Sequence, residues 1–181
     1  MLGTETLEES CAVVVEDPFT WKPIALLPAS YPDVAVFHVP RADKFGNAQI
    51  DGIYVEDFEL SRAARRVIVT TELIVDEELI RQQPWRTAIP YYLVDAVIEV
   101  PYGAHPTQMP YEYYFDEEHI AEWLTCSRTA AGASEYFERY VYGLPDFKAY
   151  LDCIGGRDQL DRLRQVEHLQ QPAHPQASGR R

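Results

Sequence analysis

The stretch PDVAVFHVPRADKFGNAQIDG, residues 32–52, joins an apolar run to a polar loop, and the choice of fold starts from it. Residues 34–39 are apolar except for His38, and half of them are valine. This pattern is typical of a strand in a parallel sheet that is covered on both faces. Pro40 ends the run, because proline cannot donate to a β-ladder. The polar residues at 41–49 then either bind a ligand or form a turn.

The composition is that of an ordinary globular protein of 181 residues, 46% hydrophobic and 25% charged. This length fits one domain with a sizeable core. The formal net charge is −13, which argues against nucleic acid or an anionic membrane as the main partner, since both need a basic surface. A local basic or backbone-amide pocket would still allow an anionic ligand.

The cysteines and the N-terminal residues favour a cytoplasmic protein. Cys11, Cys126 and Cys153 lie far apart and form no CxxC pair, so neither a disulfide framework nor a zinc site is indicated. The first ten residues lack the basic and apolar regions of a signal peptide. The longest apolar runs have the length of strands rather than of membrane-spanning helices.

A βαβ unit follows from the order of the elements. Residues 56–66 predict a short helix, and residues 67–71 (VIVTT) predict a second buried strand. Strand, crossover helix and strand make a parallel unit. Residues 91–101 contain a third strand candidate, and residues 13–15 predict a short strand that ends in a turn.

Helical patterns dominate from Asp116, which is a plausible N-cap, and Gly155 ends an apolar helix over 147–154. We therefore expect an α/β fold with a mostly parallel sheet, flanking helices and a helical C-terminal part. A single domain is expected over residues 1–170, with a disordered tail at 171–181. A parallel sheet needs cover on both faces, and the visible helices are few, which indicates missing material or a partner.

The first polar loop, residues 41–49, allows two interpretations. As a ligand site, Arg41 pairs with a carboxylate or phosphate, and Asn47 or Gln49 hydrogen-bonds a carbonyl. As a turn, Arg41 and Asp43 pair locally while Gly46 and Asn47 shape the chain, and turn chemistry alone explains these residues. Spacing alone favours the turn.

The second polar loop, PYGAHPTQ at residues 101–108, also follows a predicted strand. Its His105, between Gly103 and Pro106, is a general base, a donor to a thioester carbonyl or a loop-anchoring side chain, and a lone histidine is more often structural. The nearby tyrosines line a pocket or belong to a subunit interface. Ligands bind outside the carboxyl ends of parallel strands, so both loops are candidates for one site.

No convincing nucleophile is apparent. The chain has no GxGxxG, P-loop or GxSxG motif, and no histidine pair or histidine–carboxylate cluster indicates a metal. His38 is expected to be a hydrogen-bonded core histidine, and Cys153 a small buried hydrophobe. Glu72, directly after the second strand, either points into a site or caps the next helix.

Together, the segments PDVAVFHVPRADKFGNAQIDG, SRAARRVIVTTELIV and IPYYLVDAVIEVPYGAHPT resemble the A (alpha) subunit of family I CoA-transferases, nearest in type to the glutaconate CoA-transferase alpha subunit. The resemblance keeps its order and spacing from about residue 1 to the helix near Tyr142. It implies an α/β fold shared with ribose-5-phosphate isomerases and a partner B (beta) subunit. That subunit carries the catalytic glutamate, which forms an acyl anhydride and then a glutamyl-CoA thioester, in agreement with the lack of a nucleophile here.

The resemblance implies an enzyme subunit, not catalytic alone, that moves CoA between carboxylic acids, dicarboxylic acids among the candidates. Acyl-CoA is then a substrate, and no cofactor is expected. The expected substrate-binding residues are Arg41, Asn47, Gln49, Gly103 and His105, with no catalytic residue and no metal ligand in this chain. Two alternatives stay open: a subunit of a related acyl-CoA decarboxylase or thioester or ring hydrolase, and a non-catalytic remnant or scaffold subunit.

Full-length A subunits of the family carry a substantial portion before the point at which this chain starts. The resemblance therefore implies an N-terminally truncated domain. We expect apolar sheet surface to be exposed along the edge where further strands would pair.

Overall fold

The computed structural model describes residues 3–169, and the predicted tail, residues 171–181, lies outside them. The described strands are β1 (Val13–Glu16), β2 (Pro23–Leu26), β3 (Ala35–Val39), β4 (Arg41–Asp43), β5 (Ala48–Gln49), β6 (Val67–Thr71), β7 (Ile74–Val75), β8 (Thr87–Ile89) and β9 (Ala96–Glu99). The described helices are α1 (Glu5–Glu8), α2 (Asp57–Ala63), α3 (Glu77–Gln82), α4 (Glu117–Cys126), α5 (Ala130–Phe137), α6 (Phe147–Cys153) and α7 (Gly156–Glu167). Short 3₁₀ turns occupy Pro84–Arg86 and Tyr91–Leu93, and a π-helical turn, Glu138–Tyr142, extends α5.

A three-stranded parallel sheet in the order β3-β6-β9 forms the centre of the fold. Val36 pairs with Ile68, and Ile68 pairs with Ala96. Helix α2 connects β3 to β6, so the predicted βαβ unit is confirmed. The third predicted strand is also present, although it is shorter than the candidate stretch.

Within the described residues, one face of this sheet packs against a second sheet and the opposite face is largely open. Phe37, Val39, Val67 and Val69 are buried on the packed face, and with them pack Ala42, Ala48, Ala88 and Ile89 of the second sheet. On the opposite face Val36 is 62% exposed and Ile98 is 49% exposed. The prediction of a β3 strand buried on both faces is therefore wrong for the described part of the chain. The alternation along β3 is that of a half-buried strand, which its all-apolar sequence conceals.

The second sheet has four short strands in the order β7-β4-β5-β8. It contains the polar stretch 41–49, which is an antiparallel hairpin rather than an open loop, with Arg41 opposite Gln49. Strand β4 also pairs in parallel with β7. The stretch directly after β3 thus becomes part of a small sheet that packs against the larger one.

The first two strands, β1 and β2, form an antiparallel hairpin in which Val13 lies opposite Leu26. The predicted strand and turn are confirmed at β1, where Asp17 shapes the turn by accepting the Phe19 amide at 3.1 Å. Residues 23–26 pair with β1 as β2. The hairpin leaves valine, isoleucine and leucine side chains of both strands exposed.

The helical part follows the predicted pattern. Asp116 caps α4 by accepting the His119 amide at 3.1 Å, and Gly155, with φ of 113°, ends the turn after α6. Helix α7 buries Leu160, Leu163 and Val166. Cys153 is exposed, so its expected burial is wrong. Within residues 3–169, no helix is long and apolar enough to cross a bilayer.

Candidate functional site

Glu72 lies at the carboxyl end of β6 and ties the parallel sheet to the second polar loop. Its side chain is 7% exposed. Oε1 accepts the Tyr113 hydroxyl at 2.6 Å and lies 2.7 Å from His38 Nε2, while Oε2 accepts the Tyr102 amide at 2.6 Å. Glu72 therefore does not cap the following helix, since Asp76 caps α3.

Tyr113 extends this network into the loop. Its hydroxyl accepts the Ala104 amide at 3.0 Å while donating to Glu72. The side chain is fully buried, and burial together with the hydrogen bond to the Glu72 carboxylate raises the pKa of the phenol well above its ordinary value. Tyr113 thus stays protonated, and two amides of residues 102–104 are fixed by the Glu72–Tyr113 pair.

Gly103 is required by the close approach of this loop to His38. A Cβ at position 103 would lie 2.6 Å from His38 Cε1 and 2.9 Å from the Val100 carbonyl oxygen. His38 Nδ1 lies 2.8 Å from Thr70 Oγ1, so both of its ring nitrogens have partners. The expectation of a hydrogen-bonded core histidine is confirmed.

Asp43 organises the hairpin turn of the first polar stretch. It is fully buried, and its Oδ1 accepts the amides of Phe45, Gly46 and Asn47 at 2.9–3.0 Å. Asn47 donates its side-chain amide to Asp43 Oδ2 at 2.7 Å and accepts the Tyr91 amide at 3.1 Å. The turn interpretation is confirmed for Gly46 and Asn47, although Asp43 caps the turn instead of pairing with Arg41.

Arg41 and Gln49 are held by partners elsewhere in the chain. Arg41 forms an ion pair with Asp51, which also contacts Arg86 at 3.4 Å. Burial and the nearby Arg86 charge lower the pKa of Arg41. Gln49 is buried and donates to the Gln83 carbonyl at 2.9 Å.

The segments that follow the two polar stretches meet where Gly52 lies against Pro110, since a Cβ at position 52 would stand 3.4 Å from the proline ring. A cavity of about 470 Å³ opens at this contact. Its lining combines aromatic rings with one ion pair: Ile50, Asp51, Gly52, Tyr54, Trp85, Arg86 and Tyr111. We call it the Arg86 cavity. Its rim carries exposed aromatic side chains, with Trp85 76% exposed.

His105 is placed deeper than the sequence indicated. Its side chain is fully buried, with Nε2 3.2 Å from Asp116 Oδ2 and Nδ1 2.6 Å from the Tyr150 hydroxyl. Burial acts to raise the pKa of Asp116, but hydrogen bonds from His105, the His119 amide and Gln159 outweigh it and lower that pKa well below the usual range. Asp116 is thus a carboxylate that accepts from His105.

The geometry accounts for each of the five predicted site residues. Arg41 and Gln49 lie in strands of the small four-stranded sheet, and Asn47 lies in the turn that joins β4 to β5. Gly103 and His105 lie in the loop held by Glu72. None of these hydrogen bonds directs their side chains at the Arg86 cavity, and their role in substrate binding stays a prediction.

Several structuring residues were not apparent from the sequence. Tyr113, Tyr150 and Asp51 stand at no sequence spacing that would predict contact with their partners. Glu72 could have been predicted as a site residue, because it directly follows a buried strand. Within residues 3–169, no group of three or more histidine, cysteine or acidic side chains is arranged to hold a metal ion. The described site offers binding surfaces and a fixed loop.

Comparison with known proteins matches this architecture to one family. The coenzyme A transferase family model matches residues 22–100. The alpha-type (A) subunit of glutaconate CoA-transferase from Acidaminococcus fermentans is 33% identical over 144 residues, covering 78% of this chain and 44% of the relative. The crystal structure of glutaconate coenzyme A-transferase from the same organism superposes with a TM-score of 0.80 at 31% identity, covering 84% of this chain and 48% of that one.

The chain resembles the coenzyme A transferase family. A protein of Archaeoglobus fulgidus whose function is not assigned is 58% identical over 176 residues, covering 97% of this chain and 39% of its own length. The chain thus spans less than half the length of these relatives. The resemblance to A subunits of the glutaconate type and the α/β fold of this family are confirmed.

Proposed function

We propose that the chain acts as the A-type part of a heteromeric CoA-transferase that moves CoA between carboxylic acids. A B-type subunit supplies the attacking glutamate. Its carboxylate attacks the acyl-CoA thioester, forming an acyl anhydride and releasing CoA thiolate. The thiolate then attacks the glutamyl carbonyl, which releases the first acid and leaves a glutamyl-CoA thioester for the second acid. Acyl-CoA is a substrate, and no cofactor takes part.

The observation that carries this proposal is the superposition on glutaconate coenzyme A-transferase, which covers 84% of this chain. In this chain, Glu72 and Tyr113 accept the Tyr102 and Ala104 amides and hold the 102–104 loop at the carboxyl edge of the parallel sheet. This is the edge at which ligands bind in open parallel sheets.

The Arg86 cavity suits the CoA portion of such a substrate. Its aromatic side chains offer stacking surfaces for a purine ring, and the half-exposed guanidinium of Arg86 offers hydrogen bonds to a phosphate. Arg41 contributes to the charge at this cavity, because it pairs with the same Asp51 carboxylate as Arg86. The two guanidinium groups and the single carboxylate together carry a net positive charge.

The test is co-expression with a B-type subunit from the same genome, followed by assays on the purified complex. We expect a stable complex that transfers CoA from acetyl-CoA to an acceptor acid, with a glutamyl thioester on the B-type subunit that hydroxylamine traps. Arg86→Ala should raise the KM for acyl-CoA about tenfold, the loss of one charge-assisted contact. Arg65→Ala, a change at an 80% exposed side chain, is the matched control and should leave KM unchanged.

The other outcomes identify other functions. Release of CO₂ would indicate a decarboxylase in place of a transferase. Release of free CoA without an acceptor acid would indicate a hydrolase. Failure to bind both acyl-CoA and a B-type subunit would refute the enzymatic proposal and favour a scaffold.

A further inference from the structure

A second cavity, of about 460 Å³, lies between His105 and the helices α5 and α6. Its wall is built mainly from the rings of Tyr136, Tyr140, Phe147 and Tyr150. It shares no lining residue with the Arg86 cavity. We call it the tyrosine cavity. Its walls are far more apolar than those of a site for a highly charged ligand, which suits a small organic molecule.

The phenols of the cavity wall have hydrogen-bond partners within the protein. Because Asp116 is a carboxylate, His105 donates to it through Nε2, and His105 Nδ1 lies 2.6 Å from the Tyr150 hydroxyl. The Tyr140 hydroxyl donates to Glu122 at 2.8 Å. Burial raises the pKa of Tyr150, and burial with the Glu122 hydrogen bond raises the pKa of Tyr140 to about 12. These phenols therefore stay neutral, and their oxygens keep lone pairs that can accept a hydrogen bond.

The lining of the cavity includes one carboxylate. Asp146 stands on the rim, where its Oδ1 also caps α6 by accepting the Ala149 amide at 2.8 Å. Among the described residues that line the cavity, none is lysine or arginine. Burial and the nearby His105 lower the pKa of His119, whose Nε2 lies 2.7 Å from the Tyr136 hydroxyl. Arg139 lies over the Tyr140 ring at 4.9 Å and pairs with Glu122, but it does not line the cavity. Among the described lining residues, an anionic ligand would thus meet a carboxylate and no lysine or arginine.

We propose that the tyrosine cavity binds a small arylalkyl amine in its ammonium form. The aromatic ring of the ligand packs among the four rings of the wall. Its ammonium group donates to the Tyr150 oxygen and lies close to the Asp146 carboxylate, and the electron-rich ring faces add cation–π attraction. This ligand class is opposite in charge to the carboxylic acids of the proposed function.

Calorimetric titration of the full chain with three molecules of similar shape tests the charge preference. Benzylamine carries a cation, benzyl alcohol a neutral donor and benzoate an anion. We expect benzylamine to bind about tenfold more tightly than benzyl alcohol, since one charge-assisted contact distinguishes them, and benzoate to bind weakest. Equal binding of benzylamine and benzyl alcohol, tighter binding of benzoate, or no binding by any of the three would overturn the proposal.

Two variants place the binding in this cavity. Tyr150→Phe removes the acceptor oxygen and should weaken benzylamine binding about tenfold. Asp146→Asn keeps a capping side chain for α6 and should reduce the preference for benzylamine over benzyl alcohol to about twofold or less. Tyr142→Phe, at a 75% exposed tyrosine outside the cavity, is the matched control and should bind as the parent does.

The outcome of the amine titrations does not depend on the outcome of the CoA-transferase assay. If Tyr150→Phe does not fold, which circular dichroism would show, Asp146→Asn decides alone, and an unchanged preference in that variant overturns the proposal. No CoA thioester is needed for any titration. A chain without CoA-transferase activity can still show the amine preference, and an active complex can lack it.

Discussion

Replacing Glu72 by glutamine tests whether one carboxylate holds the 102–104 loop on the sheet. Glu72 accepts hydrogen bonds from Tyr113 and Tyr102 and lies within hydrogen-bond distance of His38 Nε2. Glutamine keeps one acceptor oxygen and replaces the other by an NH₂ group. In one orientation of the glutamine amide, the NH₂ group faces the Tyr102 amide, which is a donor. In the other orientation, it faces the Tyr113 hydroxyl and His38, and the Tyr113 hydroxyl then loses its acceptor.

The magnitude follows from the burial of this site. A buried donor left without an acceptor costs about 1–3 kcal/mol, and the remaining hydrogen bonds lose their charge assistance. We therefore expect Glu72→Gln to lower the free energy of unfolding by about 2–3 kcal/mol. For a chain of this size that corresponds to a fall in Tm of about 4–12 °C.

Two measurements check the effect, urea unfolding followed by circular dichroism and amide hydrogen exchange. Exchange at the Tyr102 and Ala104 amides should accelerate, because Glu72 and Tyr113 are their acceptors. Glu77→Gln is the matched control, since Glu77 forms a surface ion pair with Arg81 at 3.4 Å and should cost no more than about 0.5 kcal/mol.

Equal losses in the two variants would refute this account of Glu72. So would normal protection of the Tyr102 and Ala104 amides in Glu72→Gln, because the loop would then be held by other contacts.

Three further predictions concern the same elements. Gly103→Ala should destabilise the chain by about 1–3 kcal/mol, since the new methyl group meets His38, and urea unfolding measures this. Asp43→Ala should cost about 3 kcal/mol or more and loosen the hairpin turn, because three amides lose their acceptor; the same unfolding assay with hydrogen exchange at Gly46 checks it. The pKa of Asp116 is lowered on folding, so its contribution to stability is complete above the ordinary aspartate pKa of about 4 and is lost as the pH falls below it. Unfolding midpoints between about pH 6 and pH 3 should therefore fall less steeply in Asp116→Asn than in the parent chain.

Local patterns were enough to predict the central elements. The valine-rich runs at 34–39 and 67–71 flank a helical segment, and chain connectivity makes such a unit parallel. Asp116 was predicted as an N-cap because an acidic side chain directly precedes an apolar helical pattern. These inferences use residues within a few positions of each other, where the physics of caps and periodicity applies directly.

The rest of the fold depends on contacts that are distant in sequence. The four-stranded sheet is built from strands of two or three residues, too short to show a period, and its first hairpin resembles a turn-rich loop. Glu72 and Tyr113 are 41 positions apart, and His105 and Tyr150 are 45 apart. No spacing rule predicts such pairs, and the open face of β3 depends on what packs there rather than on its own sequence.

The residues that carry the resemblance to the family are those whose hydrogen bonds and packing hold the two loops in place. Asn47 and Gln49 hydrogen-bond the backbone of Tyr91 and Gln83. Gly103 leaves room for His38, and both ring nitrogens of His105 lie within hydrogen-bond distance of Asp116 and Tyr150. Such roles admit few residue types, so they produce motifs with fixed order and spacing. A stacking surface accepts any aromatic ring, and a cavity rim such as that around Arg86 therefore leaves little pattern in a sequence. The motif residues accordingly hold the loops in place, and the exposed rings and Arg86 line the cavity.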